Sequence, residues 1–165
     1  MIPDRNRANL YPPFALLLDR FERELKLAAL PFYLFEGYRS IDRQTQLYAQ
    51  GRTAPGDIVT KSKPGLSWHA YGLASDYVLD GMVERPGIQW SWETKGNNAT
   101  WLRMAEIAQE LGLEAGYFWV DPPDCPHVQQ RYGLSISQAY NLWRQGGLRA
   151  VWAKCDEWLD GMMWP

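Results

Sequence analysis

The sequence predicts an α+β fold, in which a small antiparallel sheet is flanked by helices and followed by a helical C-terminal tail. Apolar residues recur at helical spacing in several stretches, and short strand-like runs lie between these stretches. Gly or Pro ends most of the stretches, which keeps the elements short. The 165 residues can bury one core, and no repeat or linker divides them. We therefore predict one domain over 1–165, with a core at about 10–130 and a tail at about 131–165.

The first elements are predicted to be a helix, a strand and a second helix. A pair of prolines precedes apolar residues at helical spacing over 14–28, and Pro31 ends this helix. The run 32–35 is short and rich in aromatic residues, which is typical of a strand. Ser40 can then cap a helix over 41–50.

The middle of the chain is predicted to alternate loops with short regular elements. Residues 52–68 contain two Pro-Gly pairs and are expected to form a loop, and 73–79 has the pattern of a strand. Residues 84–98, which include Trp90 and Trp92, are irregular, and a third helix is predicted over 99–111. Two short strands are expected near 113–119 and 126–130.

The tail is predicted to consist of two helices separated by Gly146-Gly147. The first covers 136–145 and begins after Ser135, whose hydroxyl can cap it. The second covers 148–160 and carries apolar residues along one side. The glycine pair separates them because Gly readily leaves the helical conformation.

The composition excludes several classes of function. The net charge is −2 and the basic residues are dispersed, so no surface for nucleic acid is expected. No run of 18 apolar residues is present, which predicts no membrane span. The first residues lack a signal-peptide pattern, so we expect synthesis in the cytoplasm. Cys125 and Cys155 are too few for a disulfide framework; the alternatives are one bridge between them or two free thiols, and we predict free thiols. We expect a monomer.

The two histidines of the chain, His69 and His127, indicate a metal site. Each is accompanied by a carboxylate, Asp76 seven residues after the first histidine and Asp124 three residues before the second. A catalytic zinc site uses three N or O ligands and leaves one position open, and two His with one carboxylate is such a set. The pattern is not a helical His-Glu-x-x-His motif.

The pattern indicates that Asp76 is more than a solvated surface charge. It lies in the predicted strand, on a face that is otherwise apolar, where a carboxylate is costly unless it is paired or bound to a metal. Gly72 permits a turn between His69 and this strand. Spacing alone still leaves two alternatives open, a metal site and ordinary packed or exposed histidines.

Several motifs together resemble a known family, the LAS zinc peptidases. Ser-x-His is followed after six residues by Asp, and later by Asp-x-x-His. Upstream motifs and a Trp five residues before the second Asp resemble the L-alanyl-D-glutamate endopeptidase branch, which is typical of phage endolysins. These motifs are Glu36-Gly37-Tyr38-Arg39-Ser40, Gln44, Leu47-Tyr48-Ala49-Gln50-Gly51-Arg52-Thr53, Pro55-Gly56, Ile58-Val59-Thr60 and Trp119. The family also includes D-alanyl-D-alanine carboxypeptidases and dipeptidases.

The resemblance implies a role for each residue of the site. His69, Asp76 and His127 are expected to bind zinc, and Asp124 to act as the general base that activates water. Arg39 is expected to contact the substrate and its developing oxyanion, and its alternative role is that of a salt-bridging or capping Arg.

Three further residues are candidates for substrate binding. Ser67 matches the family Ser two residues before the first ligand, and we expect it to orient the ligands or contact substrate. Tyr38 and Tyr71 either line the cleft or pack in the core. Val128 departs from the family, which often has an aromatic residue directly after the second His.

The resemblance implies a zinc peptidase that cleaves the peptide stems of bacterial peptidoglycan, at the bond between L-alanine and D-glutamate. As a lysin without a signal peptide it would reach the wall through a separate, phage-encoded membrane pore. One alternative is a carboxypeptidase that acts on terminal D-alanyl-D-alanine. Another is a non-catalytic zinc module that binds wall peptide or a protein, and a third is a structural domain without metal.

Overall fold

The computed structural model describes residues 2–79 and 98–163, and these form the predicted α+β fold. The sheet is small and antiparallel, and helices precede, interrupt and follow its strands. Three short 3-10 turns occupy connections, at Arg7–Asn9, Trp68–Tyr71 and Gly116–Phe118. The helices and strands in chain order are α1 Pro12–Leu27, β1 Phe32–Glu36, α2 Ile41–Ala49, β2 Ala74–Leu79, α3 Asn98–Glu110, β3 Glu114–Ala115, β4 His127–Gln129 and α4 Ile136–Met163.

The sheet has the strand order β1-β2-β4-β3, and every neighbouring pair is antiparallel. All six residues of β2 are buried, as expected for an inner strand with both faces covered. The pairing places Asp76 of β2 beside Glu36 of β1 on one side and beside His127 of β4 on the other. Three polar side chains therefore come from neighbouring positions on three adjacent strands.

Helices α1 and α3 supply much of the core. The buried side of α1 carries Phe14, Leu18, Phe21 and Leu25, at the spacing that predicted the helix. Aromatic pairs join helices to strands: the rings of Phe21 and Tyr77 pack edge to face with centroids 5.2 Å apart. Burial of these apolar side chains is the main stabilising contribution to the fold.

The predicted caps are present and explain where two helices begin. The Ser40 hydroxyl accepts a hydrogen bond from the Arg43 amide at 3.2 Å, which starts α2. Ser135 and Gln138 form a reciprocal pair, because the Ser135 hydroxyl accepts from the Gln138 amide while the Gln138 side chain accepts from the Ser135 amide. This capping box starts α4.

The tail is two helices in one continuous run, as the glycine pair predicted. Gly146 and Gly147 leave the helical conformation, the second with φ 66°, and so break α4 in the middle. The second half packs on the core through Val151 and Cys155, which are fully buried. The Trp152 indole donates to the backbone carbonyl of Tyr71 at 2.8 Å. The tail is thereby attached to the turn that carries His69.

One predicted element differs from the structure. The strand expected near 113–119 is only two residues long, because Gly116 turns the chain into a 3-10 turn against the segment before β4. The region 84–97, with Trp90 and Trp92, lies outside the described residues.

Within the described residues, no helix is both long enough and apolar enough to span a membrane. Cys125 and Cys155 are free thiols, as predicted.

Candidate metal centre

Three buried side chains converge at one point of the structure. Asp76 Oδ1 lies 3.2 Å from His69 Nε2 and 3.1 Å from His127 Nδ1. One potential ligand atom from each residue lies within 4.8 Å of the others, and the three residues are 2–9% exposed. The structure therefore brings together the three residues that the sequence predicted as metal ligands.

The 3-10 turn Trp68–Tyr71 positions His69. Gly72 ends the turn in the left-handed region with φ 68°, and its amide donates to the His69 carbonyl at 3.2 Å. The same carbonyl accepts from the Arg39 amide at 3.1 Å. A side chain on Gly72 would also meet the Asn9 carbonyl oxygen at 2.9 Å, so both conformation and space require glycine there.

Each histidine ring directs one nitrogen to Asp76 and the other to a different oxygen. His69 Nδ1 lies 2.7 Å from the Gly37 carbonyl, which can only accept. His127 Nε2 lies 2.9 Å from the side-chain oxygen of Gln129. The nitrogens that face Asp76 are therefore available as lone-pair donors, and two of these with a carboxylate oxygen can hold a cation between them. This N₂O donor set fits a zinc ion with a further position for water.

The electrostatics agree with a cation-binding site. Burial alone would raise the pKa of Asp76, but His69, His127 and Arg39 outweigh burial and hold that pKa well below its ordinary value. Burial lowers the pKa of His69, which favours the neutral ring that a metal needs. Burial acts in the same direction on His127, but its hydrogen bond to Asp76 and the charges of Asp76 and Asp124 together outweigh burial and raise the pKa of His127. A metal therefore competes with a proton at His127.

Arg39 holds the other oxygen of Asp76. Its guanidinium donates to Asp76 Oδ2 at 2.8 Å and to Glu36 Oε2 at 2.6 Å, and only 12% of its side chain is exposed. Arg43 forms an ion pair with the second oxygen of Glu36, and Arg39 also donates to Gln44 Oε1 at 3.3 Å. This network leaves Oδ1 of Asp76 directed at the histidines. The two ion pairs of Arg39 match the alternative in which Arg39 is a salt-bridging residue. Contact of Arg39 with substrate stays a prediction.

Asp124 lies beside these three residues without joining their group. Its amide donates to the Gly116 carbonyl at 2.8 Å, and its own carbonyl accepts from the His127 amide at 3.1 Å, so backbone bonds fix its place. Burial raises the pKa of its carboxyl, and the charge of Asp76 raises it further against the opposing His127, His69 and Arg39. Among the described residues, the group with metal-binding geometry contains His69, Asp76 and His127 and not Asp124.

The remaining predicted residues occupy different surroundings. Ser67 is nearly buried and directly precedes the 3-10 turn, and Tyr38 is half-buried, with its pKa raised by burial. Tyr71 is fully buried, and its hydroxyl donates to the Gly65 carbonyl, which favours core packing over a role in the cleft. Trp119 is 39% exposed, and its ring packs against that of His127 with centroids 5.1 Å apart.

Sequence reasoning missed two buried polar residues that support the site. Glu36 is 1% exposed and bridges Arg39 and Arg43, and its position at the end of a strand-like run gave no separate signal. Gln129 is 5% exposed and contacts His127. Its spacing of two from His127 in a predicted strand places both side chains on one face, so alternation could have found it.

A buried centre of two histidines and one carboxylate, with a second carboxylate beside it, defines a metal-dependent hydrolase. A family described as D-alanyl-D-alanine carboxypeptidase matches residues 60–130. The peptidoglycan L-alanyl-D-glutamate endopeptidase CwlK of Bacillus subtilis (strain 168) is 36% identical over 125 residues, 74% of each chain. The crystal structure of the L-Ala D-Glu endopeptidase ChiX of Serratia marcescens has a TM-score of 0.48 at 24% identity, covering 77% of this chain and 84% of that one. The identity to CwlK over 74% of each chain shows that this chain belongs to the same family of peptidases. This confirms the family resemblance found in the sequence.

Gly116→Ala tests the contact that holds Asp124 next to His127. A Cβ at this position would lie 2.4 Å from the Asp124 carbonyl oxygen and 3.2 Å from Cβ of His127, so one of the two segments must move. Misplacement of catalytic groups by about 1 Å costs roughly 100-fold in rate, and we expect a loss of that order in kcat/KM. The measurement is peptidase activity at saturating metal.

Gly161→Ala is the matched control for this substitution. Gly161 lies near the end of α4, has open space around its Cβ position and needs no left-handed conformation. We expect its activity to equal that of the unsubstituted chain. Full activity of Gly116→Ala would show that the approach of Asp124 to Gly116 is not needed for catalysis.

Proposed function

We propose that this peptidase uses zinc to cleave the bond between L-alanine and D-glutamate in the peptide stems of bacterial peptidoglycan. The observation that carries the proposal is the convergence of His69, Asp76 and His127 on one point with Asp124 beside it. The substrate is supported by the 36% identity to a peptidoglycan L-alanyl-D-glutamate endopeptidase.

The proposed metal is zinc, held by His69 Nε2, Asp76 Oδ1 and His127 Nδ1. Zinc in such a centre lowers the pKa of a water molecule and polarises the carbonyl that is attacked. Two neutral imidazoles and one carboxylate suit zinc better than calcium or magnesium, which prefer oxygen ligands. Release of the chain through a phage-encoded pore and a monomeric state stay predictions.

Asp124 is the proposed general base. Its raised pKa, caused mainly by burial, makes its carboxylate a better proton acceptor than an ordinary surface Asp. In the proposed reaction the carboxylate takes the proton of the attacking water and then gives it to the nitrogen of the leaving amine. The peptide C–N bond breaks while the new C–O bond remains, so that atoms and protons balance.

Arg39 is proposed to stabilise the negative charge that develops on the attacked carbonyl oxygen. Its positive charge is largely shielded from solvent, where electrostatic effects are stronger than in water. The Nη1 nitrogen makes the longest of the guanidinium contacts, 3.3 Å to Gln44 Oε1, and is the donor most readily turned to a substrate oxygen. Its other donors keep Asp76 in place.

The family that matches residues 60–130 is described by a carboxypeptidase, so a second candidate is removal of the terminal D-alanine. Digestion of purified peptidoglycan followed by mass spectrometry separates the two activities. The endopeptidase frees stem peptides that begin with D-glutamate and leaves L-alanine on muramic acid. The carboxypeptidase instead frees D-alanine.

The same digestion tests whether the chain is an active zinc enzyme. We expect products to appear, to stop with a chelator and to return when zinc is added back. Bound zinc without any product from several wall preparations would favour the non-catalytic binding module. Undiminished digestion in a strong chelator, with no zinc found by elemental analysis, would contradict the proposed metal.

A further inference from the structure

The Nε2 nitrogen of His127 faces a chain of polar side chains that leads away from the metal centre. It lies 2.9 Å from Gln129 Oε1, and Gln129 Nε2 lies 3.0 Å from Glu114 Oε2. The other oxygen of Glu114 forms an ion pair with Arg131. Because β3 and β4 pair Glu114 directly with Gln129, the two side chains are neighbours across the sheet.

Glu114 determines which way the amide of Gln129 points. An ionised carboxylate only accepts hydrogen bonds, so the group of Gln129 that faces Glu114 must be its NH₂. The amide oxygen must then face His127, where it can only accept. The ring nitrogen opposite that oxygen, Nε2, therefore carries the hydrogen.

This hydrogen fixes the tautomer of His127. A neutral imidazole has one N–H and one lone pair, so a hydrogen on Nε2 leaves the lone pair on Nδ1. Nδ1 is the nitrogen that lies 3.1 Å from Asp76 Oδ1, at the point where the three ligand atoms converge. His69 reaches the equivalent state through a backbone acceptor, the Gly37 carbonyl. The tautomer of His127 is instead set by a side-chain acceptor, Gln129 Oε1.

We propose that Gln129, oriented by Glu114, is a positioning residue that sets the tautomer and ring orientation of His127 for metal binding. Gln129 is 5% exposed, so water does not readily replace its hydrogen bond to the ring. The inference rests on the proposed zinc site and not on which peptide bond is cleaved. Residues that hydrogen-bond to a metal-binding histidine typically contribute about 10- to 100-fold to metal affinity or activity.

The first test is the zinc affinity of Gln129→Met, measured by competition with a chromophoric chelator. Methionine keeps the length of the side chain and removes the acceptor, so we expect affinity to fall by about 10- to 100-fold. Gln130→Met is the matched control, because the adjacent Gln130 bonds to the Gly112 carbonyl and the Tyr132 amide instead of a ligand. Its zinc affinity should be unchanged.

A charge-conserving exchange separates positioning from simple packing. Gln129→Glu alone places two carboxylates against each other and should weaken zinc binding. Glu114→Gln combined with Gln129→Glu keeps an acceptor toward His127 Nε2 and restores a donor–acceptor pair between the strands, so affinity should recover. Failure of this double variant to recover, with its melting temperature equal to that of the unsubstituted chain, would contradict orientation through Glu114.

Nitrogen-15 NMR of the metal-free chain gives a readout that a purely structural role would not change. At a pH where His127 is neutral, we expect the proton on Nε2, and a mixture of tautomers in Gln129→Met. An unaltered tautomer with unaltered zinc affinity in Gln129→Met would overturn the inference. Zinc binding without wall digestion would contradict the proposed function and leave this inference standing, so the two failures are distinguishable.

Discussion

Asp124→Asn is expected to lower the rate of peptide hydrolysis by about 10²- to 10⁴-fold, the range that general acid–base groups contribute, while zinc content stays unchanged. Asparagine has nearly the same shape as aspartate but cannot accept a proton at neutral pH. Asp124 is not among the residues whose atoms converge on the metal position, so the ligands should remain. Its backbone bonds to Gly116 and His127 do not involve the carboxylate and should also persist.

The measurement compares turnover on peptidoglycan peptides with zinc per chain from elemental analysis. Asp121→Asn is the matched control, since Asp121 is an exposed carboxylate in the same loop, three residues earlier. We expect its turnover to equal that of the unsubstituted chain. Asp124→Asn with normal turnover would rule out the base, and loss of zinc together with activity would assign Asp124 a role in metal binding instead.

The local elements could be predicted because their signals are local. The helical spacing from Phe14 to Leu25 determines which side of α1 is buried, and the hydroxyls of Ser40 and Ser135 need only residues three positions away to cap their helices. The strand position of Asp76 follows from alternation over a few residues. Such patterns do not depend on which distant segment packs against them.

The support of the site could not be predicted because it depends on strand pairing. The contact of Glu36 with Arg39 spans three residues, but the convergence of Arg39 on Asp76 needs β1 and β2 to pair across 37 residues. Alternation places Gln129 on the face of His127, and only the pairing of β3 with β4 brings Glu114 to it. Tyr71 was ambiguous for a similar reason, since Trp152, which bonds to its backbone carbonyl, lies 81 residues later in the chain.

Asp76→Ala is expected to abolish zinc binding and also to destabilise the metal-free fold by about 3–5 kcal/mol, the cost of removing one partner from a buried charge pair. Arg39 would keep its bonds to Glu36 but lose Asp76, and His127 would lose the carboxylate that stabilises its protonated form. The pKa of Asp76 is lowered in the fold, so its contribution is complete above the unfolded-state pKa and is lost as pH falls toward the folded-state pKa.

The free energy of unfolding should be measured by urea denaturation in a chelator, so that lost metal does not contribute. Asp19→Ala on the exposed side of α1 is the control, and surface changes of this kind stay within about 0.5 kcal/mol. A chelated Asp76→Ala variant as stable as the control would show that Asp76 is dispensable for the fold without metal.

A double-mutant cycle then assigns the cost to the pair of Arg39 and Asp76. Arg39→Met alone leaves Asp76 with the two histidines, and the combined variant removes both charges from the same buried position. If the ion pair carries the effect, the combined variant should be less destabilised than the sum of the single variants, by about 0.5–3 kcal/mol. Strict additivity would mean that Arg39 and Asp76 act independently, and that Arg39 does not hold the metal ligand in place.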